Sequence, residues 1–138
     1  MNLIQRIMLH EGLVLKPYQD TLGHWTIGYG HKILPHKTFD RITTEQAKNM
    51  LMDDIATARK QAYTTFPWLV GLDEIRQGVI IEMVFQLGIG GVSKFQRMIN
   101  AIREHDYERA ADEMLNSRWA RQTPRRCKTL AELMRNGG

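Results

Sequence analysis

Apolar residues recur at helical spacing where the chain begins. Leu3, Ile4, Ile7 and Met8 fall on one face, and Gly12 directly after Glu11 is a natural stop. This predicts a first helix that ends close to Glu11. Residues 13–34 change character, with Gly23, Gly28 and Gly30 punctuating short stretches rich in Val, Tyr, Trp, Thr and Ile. Two or three short strands joined by tight turns are expected there, "DTLG" (Asp20 to Gly23) being one turn. Thr43 with Gln46 three residues later is a capping-box signature, and Ala47, Met50, Leu51, Ile55 and Ala58 trace one apolar face. The longest helix is therefore expected from about Thr44 to Tyr63, broken before Pro67. Asp73 is expected to cap "EIRQGVIIEMVFQL", which is apolar on several sides and hence largely buried, with "GIGG" ending it. Ser93 is expected to cap a helix facing inward through Phe95, Met98, Ile99 and Ile102. Tyr107, Ala110, Ala111 and Met114 mark the next helix. Thr123 and Pro124 supply a cap and a first-turn proline for a last one carrying Leu130, Leu133 and Met134.

The fold class that follows is α+β: a helix, a small sheet, a long helix, then a helical bundle. At 138 residues the chain is expected to form one domain, with 43% hydrophobic and 25% charged residues in the ordinary globular range. A single cysteine, Cys127, excludes an internal disulfide, and no Cys/His cluster has structural-zinc spacing. The net charge of +4 favours an anionic partner, a property shared by nucleic acid, anionic lipid and cell-wall polymer. No apolar run reads as a membrane span, and Gln5, Arg6, His10 and Glu11 interrupt any signal-peptide pattern at the N-terminus.

Several chemistries can be set aside. Gly28-x-Gly30 lacks a third glycine and a βαβ setting, so it is no dinucleotide fingerprint. No phosphate loop or serine-nucleophile elbow is present, and the five scattered histidines read as surface or hydrogen-bonded residues. A helix-turn-helix reading of the basic "SRWARQTPRRCK" stretch rests on charge and helix content alone. Glu11 and Asp20 are more informative, being the two acids between Met1 and Lys37. Glycoside hydrolysis needs a protonated acid for the leaving oxygen and an ionised carboxylate on the other side of the sugar, so the two must sit in unlike surroundings. A carboxylate at a helix C-terminus faces the negative end of the macrodipole, whereas one in a turn meets exposed backbone donors. By chemistry alone, two readings stand: a catalytic pair, or two solvated side chains. Thr26 by itself is an ordinary β-branched strand residue.

The longer pattern Glu11-x8-Asp20-x5-Thr26 followed by "IGYGH" resembles the catalytic segment of the T-even phage lysozymes, glycoside hydrolase family 24. "MVFQLG" (Met83 to Gly88) and "SRWARQTP" (Ser117 to Pro124) resemble that family's buried helix and its C-terminal motif, in the family's order. The resemblance implies a two-lobed lysozyme-like fold. Its N-terminal lobe would span about 12–43, its connecting helix about 44–63, and its helical C-terminal lobe about 64–138 together with helix 2–11. It implies an endolysin, a muramidase cleaving the β-1,4 bond between N-acetylmuramic acid and N-acetylglucosamine in bacterial peptidoglycan with inversion. Glu11 would be the general acid, Asp20 the carboxylate that positions or deprotonates water, and Thr26 the hydroxyl that helps hold that water. Inversion implies carboxylates about 6.5–9.5 Å apart.

Phe85 and Gln86 match cleft residues of the family, while Lys32, Met98 and Glu113 stand where other members carry different cleft-lining side chains. Met98 also lies on its own helix's apolar face, and Trp119, with Gln122 in the C-lobe motif, reads as packing beneath the cleft. Arg126 resembles the arginine that pairs with the catalytic glutamate, and His31 with Asp54 resembles a helix-to-sheet ion pair. No cofactor, metal or nucleic-acid partner and no stable membrane insertion is implied. A monomer is expected, stored in the host cytoplasm and admitted to the periplasm and cell wall by a separate pore-forming phage protein. The segment between His31 and Thr43 is shorter than in the T-even enzymes, and "MRNGG" falls short of their final stretch, as in a compact relative or a trimmed chain. Two other functions remain for comparison. A non-catalytic wall-binding or phage-structural module has no use for Glu11, Asp20 and Thr26 together. A lytic transglycosylase needs no second carboxylate to activate water.

Overall fold

The computed structural model describes residues 1–35 and 37–138; His36, one of the five histidines, lies outside them. The chain divides into two compact units, Met1–Thr57 and Ala58–Gly138. The boundary falls inside the long helix, and the first helix lies within the first unit.

In the first unit, α1 (Leu3–Glu11) starts at a capping box made by Asn2 and Gln5. It ends where Gly12, at φ 71, returns its N–H to Met8 O at 3.0 Å. A side chain at that φ would be strained, so the glycine places the helix end one residue beyond Glu11. Three strands follow, β1 (Val14–Gln19), β2 (Trp25–Gly28) and β3 (His31–Lys32), forming one antiparallel sheet in the order β1-β2-β3. The turn between β1 and β2 is the expected "DTLG", closed by Gly23 N–H to Asp20 O at 3.0 Å. Ile7, Ile27, Ile42, Ala47, Leu51 and Ile55 are buried apolar residues of this unit. The N-terminus of α2 (Thr44–Thr65) is the reciprocal capping box read from the sequence. Thr43 N–H donates to Gln46 Oε1 at 2.8 Å, and Gln46 N–H donates to Thr43 Oγ1 at 3.1 Å.

The second unit holds a 3-10 turn at Pro67–Gly71, α3 (Glu74–Ser93), α4 (Gln96–Arg103), α5 (Tyr107–Leu115), α6 (Arg118–Gln122) and α7 (Pro124–Asn136). Asp73 caps α3 by accepting Arg76 N–H at 3.1 Å. Helix α5 packs on α4 and α7, and α7 packs on α6 and α3. The Arg76 guanidinium closes the C-terminus of α7, donating to Met134 O at 2.6 Å and Arg135 O at 2.9 Å, and lies 3.5 Å from the centre of the Tyr107 ring. These are carbonyls that a helix end leaves without intrahelical partners.

Gly88, the first residue of "GIGG", at φ 77 and ψ 159, ends the long apolar run of α3 as expected, and a short further helical turn runs on to Ser93. The structure corrects two expectations. Ser93 caps nothing, because its Oγ donates back to Ile89 O at 2.7 Å; α4 starts from Phe95 with no side-chain cap. Thr123 precedes Pro124 as expected but makes no capping bond, its Oγ1 donating to Trp119 O at 3.4 Å. By length and composition α3 is apolar enough to cross a membrane; in the fold its residues Val79 to Val84 are buried.

Candidate active site on the first unit's sheet

The sequence-predicted acids, the threonine and Lys32 all belong to the first unit. Glu11 is the last residue of α1 and is half-buried. Its carboxyl lies against Gly30 in the β2–β3 turn, where φ is +71. A Cβ added to Gly30 would fall 2.8 Å from the Glu11 carboxyl carbon. Only a glycine leaves room for the carboxyl in that position.

Asp20 follows β1 and is tied into the turn by its own backbone. Its N–H donates to His24 O at 2.9 Å, and its Oδ1 accepts the N–H groups of His24 at 2.8 Å and Leu22 at 2.9 Å. The ring Nδ1 of His24 lies 3.5 Å from Oδ2. The His24 backbone N–H is the main influence holding the Asp20 carboxyl below the usual carboxylate range. The Leu22 N–H, the His24 ring and the Lys32 ammonium act the same way, and together they outweigh the opposing cost of burial.

Thr26 sits on the central strand and is 3% exposed. It is the Cα partner of Tyr18 on one side and of Lys32 on the other. Directly opposed residues of an antiparallel ladder share a face, so Tyr18, Thr26 and Lys32 form one row across the sheet. The single hydroxyl proton of Thr26 is given to His24 O at 2.9 Å, so toward any other group this oxygen acts as an acceptor. Lys32 is exposed at the outer end of the row. Tyr18 was not singled out from the sequence. Burial raises its phenol above the usual tyrosine range, and the negative charges of Glu11 and Asp20 add to the effect. His31 Nδ1 meets Asp54 Oδ2 at 2.7 Å, joining β3 to α2. Burial leaves the Asp54 carboxyl raised despite the lowering influence of that histidine.

The remaining candidates lie in the second unit. Met98 and Glu113 line one cavity of about 530 Å³ together with Phe95, Trp119, Gln122 and the basic residues Lys94, Arg97 and Arg118. Met98 contributes to that wall while being 1% exposed. Phe85 and Gln86 are half-buried on α3 outside that lining. Gln86 is held at both ends: its Oε1 accepts Trp119 Nε1–H at 2.9 Å, and its Nε2 donates to Thr123 Oγ1 at 3.3 Å. Trp119 is 3% exposed and packs edge-on against Phe95. Arg126 donates through Nε to Glu82 Oε2 at 2.9 Å, the glutamate being 0% exposed. Glu82 too was missed from sequence. The signal was there: it is the one charged residue between Arg76 and Lys94, in a run otherwise apolar enough to be buried.

A small three-stranded antiparallel sheet in a chain otherwise built of helices is the α+β arrangement of a lysozyme-like fold. The chain belongs to the phage lysozyme family, whose model matches residues 8–136, and it is a peptidoglycan-hydrolysing lysozyme. It is 31% identical to the probable T4-type lysozyme 1 of Dictyostelium discoideum, the match covering 92% of this chain and 89% of that protein. It is 32% identical to an endolysin of Acyrthosiphon pisum secondary endosymbiont phage 1, over 83% of this chain and 75% of the relative. The pre-baseplate central spike protein Gp5 of Enterobacteria phage T4 is 29% identical over 99% of this chain, which spans 28% of that longer protein.

Proposed function

We propose that this lysozyme cleaves the β-1,4 bond between N-acetylmuramic acid and N-acetylglucosamine with inversion, using Glu11 as acid and Asp20 with Thr26 to prepare the water. The observation that supports this most is the division of donors and acceptors around Thr26. Asp20 is an ionised acceptor fixed by two backbone N–H groups, and Thr26 has its proton committed to His24 O. A water between them can give one hydrogen to the Asp20 carboxylate and point the other at Thr26 Oγ1. Its lone pair is then left to attack the anomeric carbon. As the bond breaks, Glu11 gives its proton to the departing oxygen, Asp20 receives the proton of the water, and the hydroxyl stays on the sugar. Lys32, Phe85, Gln86, Met98 and Glu113 are proposed to contact the polymer.

The test uses intact peptidoglycan, digested with wild type, Glu11→Gln and Asp20→Asn, and reads the products by mass spectrometry. Hydrolysed reducing ends from wild type, with most activity lost in both variants, are expected. Anhydro ends would make the chain a lytic transglycosylase, and no cleavage by wild type would leave it a binding module.

In the cell we propose a monomeric endolysin, held in the host cytoplasm and reaching the wall through a pore formed by another phage protein. The similarity to a spike protein favours a second setting, a lysozyme carried on a phage particle. Mass spectrometry of purified particles separates the two: the chain at stoichiometric copy number supports the second, and its absence supports the first.

A further inference from the structure

His24 joins Asp20 to Thr26 through its backbone. Its carbonyl accepts the Asp20 N–H at 2.9 Å and the Thr26 hydroxyl at 2.9 Å, and its N–H donates to Asp20 Oδ1 at 2.8 Å. The Leu22 N–H gives Oδ1 a second donor at 2.9 Å. A carboxylate oxygen has two lone pairs, so Oδ1 is filled and Oδ2 is the oxygen left to accept from a water. The side chain of His24 stands at that second oxygen, its Nδ1 lying 3.5 Å from Oδ2. This is ion-pair distance but longer than a hydrogen bond. The ring is exposed and has room to turn toward Oδ2 or away from it.

The other titratable groups near this end of the sheet come from three elements. Lys32 on β3 acts on Asp20, and Glu11 at the end of α1 acts with Asp20 on the Tyr18 phenol of β1, which stays neutral. Histidine is the side-chain type whose ordinary change of charge falls between about pH 5 and 8. Within this group, therefore, His24 is the member whose charge can be switched near neutrality, and it is the one in ion-pair contact with Oδ2.

We propose that His24 is a positioning residue of the hydrolytic step: as a neutral ring it leaves Asp20 Oδ2 open to the water, and as an imidazolium it closes on that oxygen and suppresses the attack. This rests on the assignment of Asp20 as the carboxylate that prepares the water. The imidazolium acts in two ways. Its Nδ1–H competes for a lone pair that the water needs, and its charge weakens Asp20 as a base. A unit charge at this distance in water shifts a protonation equilibrium by about tenfold at most, and salt reduces that. Proton transfer belongs to the chemical step, so the effect falls on kcat and leaves KM nearly unchanged.

The test measures kcat and KM on soluble peptidoglycan strands across the neutral range, with ¹H NMR of the His24 ring locating its own midpoint. In wild type kcat is expected to rise about 3- to 10-fold through that midpoint, with KM within about twofold. His24→Phe keeps a ring without charge and His24→Lys keeps a cation throughout, while the backbone bonds to Asp20 and Thr26 need no particular side chain. Both should lose the rise, and on the alkaline side His24→Lys should turn over about 3- to 10-fold more slowly than His24→Phe. A rise that persists in His24→Phe overturns the proposal, as does a His24→Lys equal to His24→Phe or an effect on KM alone. The second measurement needs no turnover. The His24 midpoint is expected at lower pH in Asp20→Asn, where one negative charge is gone. A midpoint that does not move overturns the proposal even if neither His24 variant folds. Full turnover by Asp20→Asn removes the water-preparing assignment and the proposal with it, whereas the His24 titration reads the contact independently.

Discussion

Gly30→Ala is a one-carbon change whose effects on stability and on activity should separate. The added Cβ would lie 2.8 Å from the carboxyl carbon of Glu11. Ordinary carbon–carbon contact is about 3.5–4.0 Å, so the carboxyl has to retreat by about 1 Å. A displacement of that size at a reacting group costs on the order of 10²-fold in rate. The backbone adds its own strain: at φ +71 an L side chain costs about 1–2 kcal/mol. Loss of a flexible glycine from the unfolded chain returns about 0.4–1 kcal/mol of that. Gly88→Ala is the control, because Gly88 has φ +77 with no atom within 4 Å of an added Cβ. The two variants should lose similar stability by thermal unfolding, about 1 kcal/mol each, while peptidoglycan release falls about 100-fold only in Gly30→Ala. If Gly30→Ala keeps more than half of wild-type turnover, the carboxyl beside Gly30 is not in its working position, and the acid role assigned to Glu11 fails.

Lys32→Met tests the electrostatic row across the sheet. Asp20 sits below its ordinary carboxylate range, with Lys32 among the causes, so removing the ammonium should raise it. The acid limb of kcat/KM, which in the proposed mechanism needs ionised Asp20, should move to higher pH by less than about one pH unit, since water screens exposed pairs. The sign for stability is the same. The contribution of Asp20 is present above about pH 4 and lost as pH falls through its lowered native value; in Lys32→Met that native value is higher, so the contribution is smaller and its loss is complete at higher pH. A ¹³C titration of Asp20 that is identical in both proteins contradicts this. In the second unit, Arg126→Met takes the 2.9 Å partner from a fully buried Glu82 and should cost about 3–5 kcal/mol in urea unfolding. Glu82→Leu combined with Arg126→Met should recover most of it, and a single-variant cost under about 1 kcal/mol would refute the pairing's importance.

Much of this molecule was legible because local signals and tertiary structure agree. Gly12 ends α1, Thr43 and Gln46 cap α2, and Asp73 caps α3, each by a bond between neighbours in the chain. The misread positions are those where a longer-range partner, or the preceding helical turn, takes the side chain. Ser93 and Thr123 have the composition of caps, but their hydroxyls bond back to Ile89 and Trp119, and Gln86 from another helix occupies Thr123 as well. Gly88 ends the long apolar helix as its position in "GIGG" indicates, but composition does not show the short helical turn that follows it. For the candidate site, spacing and resemblance point to Glu11, Asp20 and Thr26. They do not point to Tyr18, because its face depends on a register that follows an irregular stretch around Pro17. Glu82 was hidden for the opposite reason: an acid inside an apolar run signals a buried partner without saying which residue provides it.

The central claim is that water held by Asp20 and Thr26 attacks the anomeric carbon directly as Glu11 protonates the leaving oxygen. The most direct test is the ¹H NMR anomeric signal of the first product released from soluble peptidoglycan strands, recorded before mutarotation. Direct attack predicts the α-anomer first, with the β-anomer appearing only as the sugar equilibrates. The β-anomer appearing first would mean a covalent or otherwise retaining route, and would contradict the roles of Asp20 and Thr26 in preparing the water.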